Sequence, residues 1–173
     1  MHIPFFNYKN FCKDLNYNLL LKEVLETGYL IGGPFIEELE NKIQFMTGIK
    51  HCITVGNATD AMEIIFNFLD LPFNSKVLVP SHTMLATASA ARSANLIPIP
   101  VDVDPDSLML EIQQLEKCNL EGISACMITQ LNGVVADMEP IKAFCDSNKI
   151  NEVIVVEKII FIKDLKKLIS KEK

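Results

Sequence analysis

Short apolar runs alternate along the chain with stretches whose apolar residues recur every three or four positions. HCITV (51–55), KVLVP (76–80), LIPIPV (96–101) and ISACMIT (123–129) read as strands. Between them, 60–70, 84–94, 108–117 and 138–147 carry helical spacing. Two helices come earlier. One covers 15–26 and stops at Thr27-Gly28. The other follows the loop Gly32-Gly33-Pro34, with Pro34 at its first turn. There Ile36, Leu39, Ile43 and Met46 share one face, and Gly48 ends the helix. The run MLATASAARSA (84–94) is small enough to pack closely on a sheet. Strands alternating with helices predict an α/β domain with a mainly parallel sheet.

The order breaks after Ile150, where the chain reads NEVIVVEKIIFIKDLKKLISKEK. From Lys158 onward there are six lysines in sixteen residues. Ile159, Ile162, Leu165 and Ile169 fit a helix, and VIVVEKIIFI fits a strand about as well.

Composition narrows the function. A chain of 173 residues, 49% hydrophobic, suits one domain with a real core. A net charge of −6 with Arg92 as the one arginine leaves no footprint for nucleic acid. Acids and lysines interrupt every apolar run before it reaches membrane-spanning length. The start, MHIPFFNYKNFCKDLNYN, lacks the basic and apolar regions of a secretory leader. Cys12, Cys52, Cys118, Cys126 and Cys145 are scattered without a CxxC, which predicts reduced thiols in the cytoplasm. The adjacent His51 and Cys52 lack metal-ligand spacing.

The stretch VGNATDAMEII (55–65) sets its smallest residues between an apolar run and a helix. A helix beginning near Thr59 offers unpaired N–H groups and the positive end of its dipole. A phosphate could rest there, with Gly56 and Ala58 permitting close approach and Thr59 adding a hydroxyl. The same residues also suit an ordinary turn capped by Asn57 or Thr59. Neither GxGxxG nor GxxxxGK[ST] is present.

Five segments in order, GYLIGGPFIEELENKI (28–43), VGNATDAMEI (55–64), VLVPSHTMLATASA (77–90), PIPVDVDPDSLML (98–110) and QLNGVVADMEPIKAF (130–144), change that balance. Together they resemble the DegT/DnrJ/EryC1/StrS family of pyridoxal-phosphate-dependent sugar aminotransferases, over about residues 1–150. The resemblance implies an incomplete three-layer type I transferase large domain. It implies a cofactor phosphate on Asn57-Ala58-Thr59-Asp60-Ala61-Met62, matching the family's S-[GA]-T-x-A-[LM]. The contacts would be the amides of Thr59 and Asp60 and the Thr59 hydroxyl, beside Ala58, with the Asp60 carboxylate turned away. Pro80-Ser81-His82-Thr83-Met84-Leu85-Ala86-Thr87 matches P-S-x-T-[FWY]-x-[AS]-T, so Met84 takes the place of the ring-stacking aromatic. His82 could face that ring instead, or be a loop histidine touching solvent. Gln130-Leu131-Asn132-Gly133 resembles the segment near cofactor and sugar, and Gly32-Gly33-Pro34 the one near a dimer active site.

Other family features have no counterpart. Where members carry V-I-E-D-A-A-[QEH], this chain has Val155-Val156-Glu157-Lys158, with lysine in the aspartate's place. The S-F-x-x-x-K segment with its catalytic lysine never follows, and Lys158, Lys163, Lys166 and Lys167 read as a solvated face. The resemblance therefore implies the N-terminal part of the enzyme domain over 1–150 and a divergent tail over 151–173, of the kind an early frameshift produces. The intact relative would pass an amino group, typically from glutamate, to a keto-sugar nucleotide, as a homodimer. This chain would be inactive alone and would not hold pyridoxal phosphate covalently. The other reading is a non-catalytic module that binds a phosphorylated ligand or caps a partner. With only part of the family's sheet, the chain is expected to leave an open edge and an apolar face.

Overall fold

The computed structural model describes residues 13–156 and 159–162; for 152–156 and 159–162 it describes the backbone alone. The chain divides into two compact units, Met1–Thr54 and Val55–Lys173.

The first unit carries α1 (Tyr17–Thr27) and α2 (Pro34–Thr47). Each stops where the sequence expects, on a left-handed glycine. Gly28 (φ 73°) and Gly48 (φ 71°) return their N–H groups to Leu25 and Gln44 carbonyls. Asn16 caps α1 by accepting the Leu19 N–H at 3.2 Å, and Pro34 opens α2. Neither helix contains a buried residue, and Leu30, Ile31, Phe45 and Met46 stand exposed.

HCITV, expected as a strand, is not one. A strand exists only beside a hydrogen-bonded neighbour, and among the described residues none pairs with 51–55. Thr54 instead gives both its N–H and its hydroxyl to Glu40 Oε1 of α2, at 2.8 and 2.9 Å.

The second unit holds a five-stranded sheet ordered β2-β1-β3-β4-β5. Its strands are β1 (Lys76–Pro80), β2 (Ile97–Val101), β3 (Ile123–Gln130), β4 (Asn151–Val156) and β5 (Ile159–Ile162). The first four run parallel and β5 runs antiparallel to β4. The run after Ile150 therefore takes its strand alternative, with its β-branched residues in ladder positions. Glu157, Lys158 and everything after Ile162 lie outside the described residues, as does Cys12.

Helices cover both faces. α3 (Ala58–Phe68) and α4 (Leu85–Ser93) lie on one. There Met62, Ile65 and Phe66 pack with Val77, Val79, Ala90, Ala91 and Met127. The small side chains of α4 let it sit close to β1 and β2, as its alanines predict. On the other face are α5 (Ile112–Leu115) and α6 (Met138–Asn148). Their core joins Leu78, Cys126 and Ile128 to Leu115, Ile141 and Cys145. Alternate residues of β1 and β3 thus supply two separate cores, which is why both strands read as unbroken apolar runs.

α5 is far shorter than the helix expected over 108–117. Asp104 Oδ1 accepts the N–H groups of Asp106 and Ser107 at 3.0 and 2.8 Å, and Leu108 turns left-handed at φ 58°. Ser107 donates its hydroxyl to Glu111 Oε1 at 2.7 Å. The side-chain turn consumes the donors that a helix would have used.

The open edge at β2 is blunted. Ile97 donates its N–H to Ser75 beside β1, and Ser81 donates to the Val101 carbonyl, so the odd positions face inward. Pro98 and Pro100 take the outward positions and present no N–H to an incoming strand. At the other edge, β5 has β4 as its neighbour and carries no such block.

Candidate functional site

In an open parallel sheet, ligands bind outside the carboxyl ends of the strands, where neighbouring connections leave in opposite directions. Here that point lies between β1 and β3. The chain leaves β1 through α4 to reach β2 on one side, then crosses to β3 on the other. The loops opening there are 81–84, 102–111 and 131–137.

Asn57, Ala58, Thr59 and Asp60 form the first turn of α3. Asn57 is the N-cap, the first of the two caps the sequence allowed; its Oδ1 accepts the Asp60 N–H at 3.0 Å. Its Nδ2 in turn donates to Asp60 Oδ2 at 2.9 Å, a reciprocal cap. The Asp60 amide, expected to face a phosphate, is held by Asn57. The Asp60 carboxylate folds back over the turn, 2.9 Å from the place a side chain on Gly56 would occupy. A short acid three residues into a helix reaches its cap residue, and that proximity turns it inward. Among the described residues, the amides of Ala58 and Thr59 have no acceptor, so two donors and the dipole still face outward. Gly56 leaves no room for a β-carbon beside them without moving Asp60.

Met84 ends the 81–84 turn as N-cap of α4 and is 71% exposed, its thioether free to lie on a planar ring. His82 Nδ1 lies 3.5 Å from the Leu108 carbonyl, which ties that turn loosely to 102–111. In the latter loop the Ser107 N–H holds the Asp104 carboxyl below its ordinary range. The Gln130 side chain is 2% exposed and faces its own loop. Its Oε1 accepts the Ala136 N–H at 2.7 Å, and its Nε2 donates to Met138 Sδ at 3.0 Å. Gln130 therefore holds 131–136 in place, and Asn132 takes a left-handed turn (φ 56°) within it.

Sequence reasoning missed a cluster of hydroxyls on Thr83, Thr87 and Thr129 beside this turn. The signal was there to read: after the apolar ISACMI, β3 ends in the polar pair Thr129-Gln130, and both are buried. No lysine occurs in 81–84, 102–111 or 131–137. Lys76 sits at the opposite end of β1, donating to the Glu121 carbonyl at 2.9 Å. Gly32-Gly33-Pro34 lies in the first unit, where Gly33 (φ 87°) caps α2.

A mainly parallel sheet, covered by helices on both faces and with polar loops at its switch point, defines the chain as an α/β protein. Residues 12–157 match the model of the DegT/DnrJ/EryC1/StrS aminotransferase family, and the chain belongs to that family. It is 33% identical over 123 residues to UDP-2-acetamido-2-deoxy-3-oxo-D-glucuronate aminotransferase of Pseudomonas aeruginosa; that alignment takes in 71% of this chain and 34% of the relative. The structure of DesV from S. venezuelae superposes with a TM-score of 0.83 at 25% identity, covering 88% of this chain and 42% of that one. NtdA of Bacillus subtilis, solved with bound cofactor PMP, superposes at 0.76 with 22% identity, over 89% of this chain and 37% of its own. The chain thus spans well under half the length of these relatives. The α/β fold with a mainly parallel sheet is that of the aminotransferases it superposes on.

Proposed function

We propose that the chain forms the N-terminal part of a pyridoxal-phosphate-dependent nucleotide-sugar aminotransferase, and that it binds the cofactor without turning it over. The carrying observation is the α3 N-terminus, with the free amides of Ala58 and Thr59 beside Gly56. These residues fit the cofactor's phosphate: two N–H donors, the helix dipole and the Thr59 hydroxyl. Bound there, pyridoxal phosphate would supply the electron sink for amino-group transfer. Met84 would lie against the ring, and Asp60 would swing off the turn to admit the anion. Gln130 would keep 131–136 in shape beside it.

Catalysis needs a lysine in reach of the reacting atoms, and the loops 81–84, 102–111 and 131–137 contain none. Amino donor and sugar nucleotide would be bound with the polypeptide that longer relatives possess. Exposed apolar side chains on α1 and α2 support assembly into a homodimer. A cytoplasmic location is part of the proposal; separately, no helix among the described residues is long and apolar enough to cross a membrane.

The test is a spectroscopic titration with pyridoxal phosphate, competed with inorganic phosphate, followed by borohydride reduction. Saturable binding, displaced by phosphate and leaving no cofactor on the chain after reduction, is expected. Absence of binding, or reductive attachment to one defined lysine, overturns the proposal. The lack of a lysine in these three loops also favours a non-catalytic phosphate-ligand module. That reading gains if phosphate alone binds as tightly as the cofactor.

A further inference from the structure

We infer that Thr83, Thr87 and Thr129 form a hydroxyl relay that positions the 81–84 turn, and Met84 with it, over the carboxyl ends of β1 and β3. The relay joins the turn after β1 and the start of α4 to a strand whose Thr129 is 46 residues from Thr83. Thr129 is the next-to-last residue of β3, Thr87 lies in the first turn of α4, and Thr83 lies in the turn after β1. Thr83 Oγ1 is 2.9 Å from Thr87 Oγ1 and donates to Thr129 Oγ1 at 3.4 Å. Since Thr83 spends its proton on Thr129, Thr87 is the donor in the shorter contact. Thr87 and Thr129 are buried, at 2% and 8% exposure. Burying a hydroxyl is unfavourable unless it is hydrogen-bonded, so valine would serve better at these sites if packing were their whole role.

Backbone bonds hold only the ends of the turn. Ser81 donates its N–H to the Val101 carbonyl at 2.8 Å, and Thr87 donates to the Met84 carbonyl at 3.0 Å. Between them, the Met84 side chain is exposed and makes no capping bond. Beyond the bond its carbonyl accepts from Thr87, residue 84 is held through its neighbour, Thr83. That Met84 meets a cofactor ring rests on the proposed function; that the relay fixes its pose does not. The three threonines are positioning residues.

Amide hydrogen exchange on the full chain tests the relay without a ligand. In T83V and T129V, amides of 82–87 should exchange about threefold to tenfold faster, while those inside β1 and β3 keep their rates. T83S and T129S should restore the original pattern. The double variant T83V/T129V should be no faster than either single, because both break one network. Should T83V not fold, T87V breaks the relay from its other end and is expected to give the same local acceleration. Unchanged exchange at 82–87, equal acceleration throughout the sheet, or additive effects overturn the inference. Pyridoxal phosphate and inorganic phosphate are then titrated against T129V. Several-fold weaker binding of the first with unchanged binding of the second is expected, and equal losses count against the relay. If the unaltered chain binds neither, the proposed function falls, and the exchange data still decide the relay.

Discussion

Gln130→Leu removes one acceptor from the middle of the strand-end site with little change in volume. The Gln130 side chain and Ala136 are both buried, and the bond between Gln130 Oε1 and the Ala136 N–H is 2.7 Å long. Leucine leaves that N–H without a partner and without water, which costs about 1–3 kcal/mol. The second bond, to Met138 Sδ, ends on a weak acceptor and adds little. Some of the loss is offset because leucine is cheaper to desolvate than an amide. The net destabilisation expected is about 1–2 kcal/mol. For a chain of this size it lowers the melting temperature by about 2–8 °C. Urea unfolding followed by circular dichroism measures the first quantity and a thermal scan the second. Val135→Ala, at an exposed position of the same loop, is the control and should change stability by less than about 0.5 kcal/mol. A Gln130→Leu protein as stable as the original, with amides of 131–136 exchanging at unchanged rates, would refute the view that this side chain holds the loop.

Asn57→Ala removes the cap of α3 and should cost about 1 kcal/mol in urea unfolding, while Asn57→Ser, which keeps a capping oxygen, should recover most of it. Asp104 makes a prediction about acid. The Ser107 N–H lowers its carboxyl pKa below 3.8, so its contribution is fully present above that value and is lost as pH falls towards the depressed one. The amide signals of Asp106 and Ser107 should shift in that window, and Asp104→Asn should abolish the titration.

Much of the molecule could be read from neighbouring residues. Gly28 and Gly48 end their helices, Pro34 starts one, and Asn57 caps another, because each needs only the backbone a few residues away. The continuous apolar runs of β1 and β3 announced strands, and the five segments in order announced the family. HCITV has the composition of a strand and, among the described residues, no strand beside it, so composition was insufficient there. The helix expected over 108–117 yielded to one aspartate that bonded its own backbone first.

The chain's sequence by itself thus determined its class, its helix ends and the small-residue turn that suits an anion. Only tertiary structure decided that HCITV meets no ladder partner among the described residues and that Thr83 finds Thr129 across the site. Caps and periodicity act within one or two turns of chain, where residue types are enough. A ladder or a buried hydroxyl bond joins residues far apart in sequence, and its existence depends on which partners the fold brings within about 3 Å.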